Sequence, residues 1–252
     1  MNVKKTLVKL RKEPLSELLG ELSYKGGPVI LQDEFTLYAE SHFAYYLAIE
    51  RLLPTMSLAH RFDNGIAYKM RDKENLTKRE RGFIKKYFTS RRFLELDFFT
   101  FIIFARILLD RTIALGQFFI SGSKHQPSFR SFNDHKKFFL RTENIPYGMH
   151  EKYARYIRKE TNWFSEVLKF VRDKHIIHAN TGGMRFFGYP GLSSNDSLEM
   201  VLILPETPGS LAKVRHRVIS PLKIIRDIEA FLLFFNQYGC EVLSQKTGRH
   251  SK

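Results

Sequence analysis

Apolar positions recur at helical spacing along most of this chain. Phe35, Ala39, Phe43, Tyr46, Ile49 and Leu53 fall three or four residues apart, which predicts a helix over 32–53. Pro54 is expected to close it, because proline lacks the N–H that the next turn needs and its ring crowds the carbonyl four residues back. Residues 55–76 then read as irregular, with Asp63-Asn64-Gly65 as a turn. Thr77, followed three residues later by Glu80, has the form of a capping box and opens a helix over 77–90. Residues 94–120 are apolar on nearly every side and predict a central helix.

After the break at Ser121-Gly122-Ser123, a shorter helix is expected over 128–140. A long one follows over 150–179, with Tyr153, Ile157, Phe164, Leu168 and Val171 as its buried stripe. From 181 to 210, glycine, proline and serine cluster around two short apolar runs at 184–187 and 198–204, the pattern of a small β-hairpin near 184–204. A strong amphipathic pattern returns over 219–243, and the polar, basic stretch 245–252 reads as a flexible tail. Together these elements predict an all-α fold in one elaborated domain over 1–252. Its bundle core would come from 95–180 and 219–243, with extra N-terminal helices and an insertion at 181–218.

Composition narrows the function. The formal net charge is +15, which points to a polyanionic partner, nucleic acid ahead of an anionic membrane surface. The charge is concentrated: residues 69–92 hold ten Lys and Arg against three Asp and Glu, with Phe83, Tyr87 and Phe88 interleaved. Lys85, Lys86, Arg91 and Arg92 are the candidate phosphate contacts in this run. The plainer alternative is a solvated helix whose aromatics face the core. A lone cysteine, Cys240, in an apolar segment reads as a core residue and excludes an intramolecular disulfide. The charge-free apolar segment 98–105 is far too short to span a bilayer, and the first residues lack an apolar signal segment, so a cytoplasmic location is expected.

The chemistry gathers at the end of the helix predicted over 150–179. Arg172-Asp173-Lys174-His175-Ile176-Ile177-His178 leads into Ala179-Asn180 and a pair of glycines, the only place where a guanidinium and imidazoles meet in a site-like context. On a straight helix at about 100° per residue, Arg172 and His178 point about 120° apart. They converge only if the helix starts, ends or bends between them, or if a second copy of the chain supplies the partner. His175 lies three residues from each and shares a flank with both. His175 and His178 would make two zinc ligands, yet no further Cys or acidic residue completes a set at recognisable spacing, so neither metal nor cofactor is expected. Arg172 and His178 could alternatively do no more than cap carbonyls at the helix end.

An Arg, a polar residue and then a His, with five residues between Arg172 and His178 and Asp173 directly after the arginine, resembles the signature of the HEPN superfamily. The resemblance covers roughly residues 95–180. It implies an up-down helical bundle that commonly dimerises through the motif-bearing helices, and in many members a metal-independent endoribonuclease with toxin, phage-defence or RNA-processing roles; some members do not cleave. By that resemblance Arg172 would clamp phosphate, His178 would act as general acid or base, and Asp173 would orient one of them. His175 would be auxiliary, and Lys174 and Asn180 would lie beside the RNA. Asp110, four residues from Arg106 on the central helix, could orient Arg172 or belong to a structural ion pair. The implied partners are RNA, a second copy of the chain, and an antitoxin or other defence component.

Overall fold

The computed structural model describes residues 29–62, 75–120, 129–141, 149–173, 188–192, 198–205 and 214–248. Five helices dominate: α1 Val29–Phe62, α2 Lys78–Leu115, α3 Phe132–Leu140, α4 Met149–Glu160 and α5 Pro221–Gly248. A 3-10 turn, Gly116–Phe118, closes α2, and a π-helical stretch, Phe164–Lys169, follows α4. The buried residues come mainly from helices, so the described core is all-α. Strands β1 Gly188–Leu192, β2 Leu198–Pro205 and β3 Val214–Ile219 pair antiparallel in that order, with Gly188 opposite Leu202 and Met200 opposite Ile219. Where the sequence places a two-stranded hairpin near 184–204, pairing takes in a third strand, and 184–187 lies outside the described residues.

The helix expected to stop at Pro54 continues to Phe62. The proline removes one ladder hydrogen bond. Around it, Thr55 Oγ1 donates to the Arg51 carbonyl at 2.9 Å and Ser57 Oγ to the Leu53 carbonyl at 3.0 Å. Leu52 and Leu53 before the proline, and Met56 and Ala59 after it, are all fully buried, so packing holds the helix on both sides of the break in the ladder. The buried flank of α1 also differs from the stripe in the sequence: Ile49 and Leu53 are buried, whereas Phe35 and Phe43 are exposed and Tyr38, Tyr45 and Ala48 take their place.

The two helices expected over 77–90 and 94–120 are one. No glycine or proline separates them, and α2 runs unbroken through Arg91, Arg92 and Phe93. Its start is the capping box: the Thr77 N–H donates to Glu80 Oε2 at 2.8 Å, and the Glu80 N–H donates back to Thr77 Oγ1 at 3.3 Å. Nor is the segment buried all round, since Phe93, Leu96 and Ile107 are exposed.

The helix expected over 150–179 is broken at Thr161. Its carbonyl accepts from Lys136 Nζ at 2.8 Å, and Asn162 Oδ1 receives the same ammonium at 3.4 Å. The same carbonyl accepts from the Phe164 N–H at 3.2 Å, and π-type winding follows over Phe164–Lys169. The stripe Tyr153, Ile157, Phe164, Leu168 and Val171 is fully buried, as its spacing predicts.

The chain forms two compact units. One contains the described residues of 46–103 and 169–225, the other those of 4–45, 104–168 and 226–252. Rings fill the second. Phe132 meets Phe164 at 4.6 Å and Phe231 edge-on at 5.0 Å between centroids, and Tyr153 stacks on Tyr238 at 4.6 Å. Ser131 caps α3, its hydroxyl accepting from the Asp134 N–H at 3.2 Å. Among the described residues, no helix is long and apolar enough to cross a membrane.

Candidate functional site

Of the sequence-predicted motif, Arg172 and Asp173 are described, whereas Lys174, His175, His178 and Asn180 lie outside the described residues. Both described residues sit in π-type winding, a local geometry frequent at functional sites. The even 100° step of an α-helix therefore does not extend into the motif. Side chains adjacent in sequence do not face each other on a regular α-helix, yet here they meet: Arg172 Nε donates to Asp173 Oδ1 at 2.8 Å, and Nη2 reaches the same oxygen at 2.7 Å. One carboxylate oxygen thus grips the Nε/Nη2 edge of the guanidinium. Among the described residues Asp173 is its only partner, which leaves the Nη1 donors and the outer edge of the fork unused. Both side chains are partly exposed.

Asp110 is placed in a structural setting. Arg106 Nε donates to its Oδ2 at 3.1 Å, and the Phe132 backbone N–H donates to its Oδ1 at 2.6 Å. The carboxylate thereby neutralises a buried guanidinium and satisfies a free N–H in the first turn of α3. Arg106 also lies over the Phe164 ring, 4.4 Å from its centroid.

The basic run lies on the first half of α2, in the unit that also contains Arg172. Lys78, Arg79, Arg81, Lys85, Lys86 and Arg92 are exposed; Arg91 is half-buried over the Tyr87 ring at 5.4 Å. Among the described residues none of those six is in an ion pair, although the charge of Arg92 acts on Glu95, whose carboxyl is raised by burial and lowered in turn by Arg91 and Arg92. Phe88 and Phe93 are 57% and 54% exposed. The aromatics of this helix are therefore not all turned to the core, as the plainer reading of the charge run would have them.

Beside Phe93 is a feature that periodicity does not reveal. A cleft of about 330 Å³ is lined by residues of α1 and α2, among them Arg51, Thr55, Leu58, Phe93 and Asp97. Asp97 is buried, paired with Arg51 at 2.8 Å and receiving a hydrogen bond from Thr55 Oγ1 at 2.8 Å. The Arg51 side chain is 63% exposed, so this guanidinium is held at one end and open to solvent at the other.

Two histidines absent from the sequence reading are buried in the second unit. His135 Nε2 lies 2.7 Å from the Tyr153 hydroxyl in a shell of rings, and burial lowers its pKa to about 3. His42, stacked on Tyr38 at 5.5 Å, is lowered to about 4 by the same cause. Both are neutral at ordinary pH and serve packing. Burial likewise raises the Tyr153 phenol well above its usual range. Cys240 is partly buried, its Sγ 3.9 Å from Asn236 Oδ1. Among the described residues no His, Cys, Asp and Glu side chains are grouped to hold a metal ion. Comparison of the chain with protein-family models, with curated proteins and with solved structures finds no match in any of the three.

Proposed function

We propose that this protein is a metal-independent endoribonuclease of HEPN type, with Arg172 as its phosphate clamp, Asp173 as the residue that positions the clamp, and His178 as general acid or base. The observation that carries this reading is the Arg172–Asp173 pair, in which one edge of the guanidinium is held and the other is left for an anion. The strong basic charge of the chain supports a polyanionic substrate.

The chemistry follows from the groups. The ribose 2′-oxygen attacks the adjacent phosphorus as a base removes its proton, the bond from phosphorus to the 5′-oxygen breaks, and that oxygen takes up a proton. An imidazole with an ordinary pKa near 6.5 suits either proton transfer near neutral pH. Arg172 offers its remaining donors to the phosphate oxygens as charge accumulates on them. The products are a 2′,3′-cyclic phosphate and a 5′-hydroxyl.

The test is cleavage of RNA in excess EDTA by the wild-type chain, Arg172→Ala and His178→Ala, with circular dichroism to establish that the variants fold. The proposal expects cleavage by the wild type and at least a ~100-fold loss in each variant, the scale of a removed general acid-base group or oxyanion donor. RNA that is bound and left intact would assign the chain to the non-cleaving members of the superfamily it resembles.

A further inference from the structure

The first half of α2 carries a second constellation that the proposed cleavage site does not use. Its exposed positions fall in one sector of about half the helix circumference at 100° per residue. Within it lie Lys78, Arg79, Arg81, Lys85, Lys86 and Arg92, with Phe93 among them and Phe88 at one border. The two acidic residues of this stretch, Glu80 and Glu95, are only partly exposed, and Glu80 is engaged by Thr77.

We infer that this face of α2 is a track for single-stranded nucleic acid, with the cations on the phosphates and Phe88 and Phe93 as stacking platforms for bases. Cations alone would fit any polyanion. The exposed rings narrow the choice, because a duplex presents its phosphates while keeping its base faces stacked inside, whereas a single strand has base faces to offer. The arrangement also differs from that of a helix lying on a membrane, where an apolar face and a cationic face are separate. Here Phe93 falls between Lys78 and Lys86, and Phe88 borders the cationic sector, about 20° beyond Arg81. The cleft beside Phe93 adjoins the platform: Leu58 lines it with Phe93, and Arg51, mostly exposed and paired with Asp97, lines it with Glu50. This inference stands whether or not Arg172 and His178 cut RNA.

The experiment is fluorescence anisotropy of the full chain with a labelled 2′-O-methyl single strand, which cannot be cleaved through its 2′-oxygen, and with the same sequence as a duplex. Vesicles containing phosphatidylserine are the membrane control. Wild-type affinity for the single strand should fall steeply with added salt. Lys85→Glu with Lys86→Glu should weaken both nucleic acids at least ~10-fold. Phe88→Leu with Phe93→Leu keeps apolar volume and removes the rings; it should weaken the single strand about 10-fold and the duplex less than ~2-fold. Equal losses on single strand and duplex would overturn the stacking role, and unchanged affinity in the charge-reversed variant would overturn the track itself. Vesicle binding that depends on the two rings, without loss of single-strand affinity on their removal, would assign the face to membranes instead.

Discussion

Phenylalanines and cations meet in two regions of this molecule with opposite consequences. Among α3, α4 and the residues that pack on them, the buried cations are held: Lys136 is buried on the Thr161 carbonyl, and Arg106 lies between Asp110 and the Phe164 ring, with Phe132 fully enclosed beside them. On the first half of α2, Lys85, Lys86 and Arg92 are exposed and outside any ion pair among the described residues, and Phe88 and Phe93 are half uncovered. The same residue types build a core in one place and a surface with unsatisfied binding capacity in the other. Their availability, rather than their identity, differs between the two regions.

That contrast can be broken by mutation. Phe132→Ala removes a ring in contact with Phe164 and Phe231 and should cost about 3–5 kcal/mol in denaturant unfolding. Phe93→Ala should stay within about 0.5 kcal/mol of the wild type, because the ring is more than half exposed. Comparable losses in both variants would end the distinction. Asp110→Ala strands Arg106 and opens the first turn of α3; partial exposure of the carboxylate holds the expected loss to about 2–3 kcal/mol by the same measurement.

Acid should act on the ring-packed unit. His135 and His42 have folded pKa values of about 3 and about 4, below the ordinary value near 6.5. Between these limits the unfolded chain binds protons that the folded chain refuses. Their contribution to stability is therefore full above about pH 6.5 and is lost progressively as pH falls towards 4 and then 3. Unfolding followed at a series of pH values should show this slope, and His135→Phe should flatten it. A smaller loss than that of Phe132→Ala or Asp110→Ala is expected of Thr77→Ala, which opens the capping box of α2 at a cost of about 1 kcal/mol and should leave the ring-packed unit untouched in hydrogen exchange.

What the sequence made legible was set by the range of the forces involved. The stripe from Tyr153 to Val171 could be read because local periodicity and burial agree there. The capping box of α2 could be read because its bonds span three residues. Passage of α1 through Pro54 could not, since it depends on buried neighbours on both sides. At the break at Thr161 the carbonyl meets Lys136, a donor 25 residues away that no local pattern announces. Thr55 and Asp97 are 42 residues apart, so their cleft had no local signal. Asp173 could be proposed from its place after Arg172, but its contact with the guanidinium needed side-chain positions.

The most direct test of the proposed activity uses a DNA strand carrying a single ribonucleotide, incubated with the protein in EDTA, followed by analysis of the ends formed. The account predicts a cut only on the 3′ side of that ribose, leaving a 2′,3′-cyclic phosphate on one fragment and a 5′-hydroxyl on the other. Cleavage at deoxyribose positions, or a 3′-hydroxyl product, would contradict it.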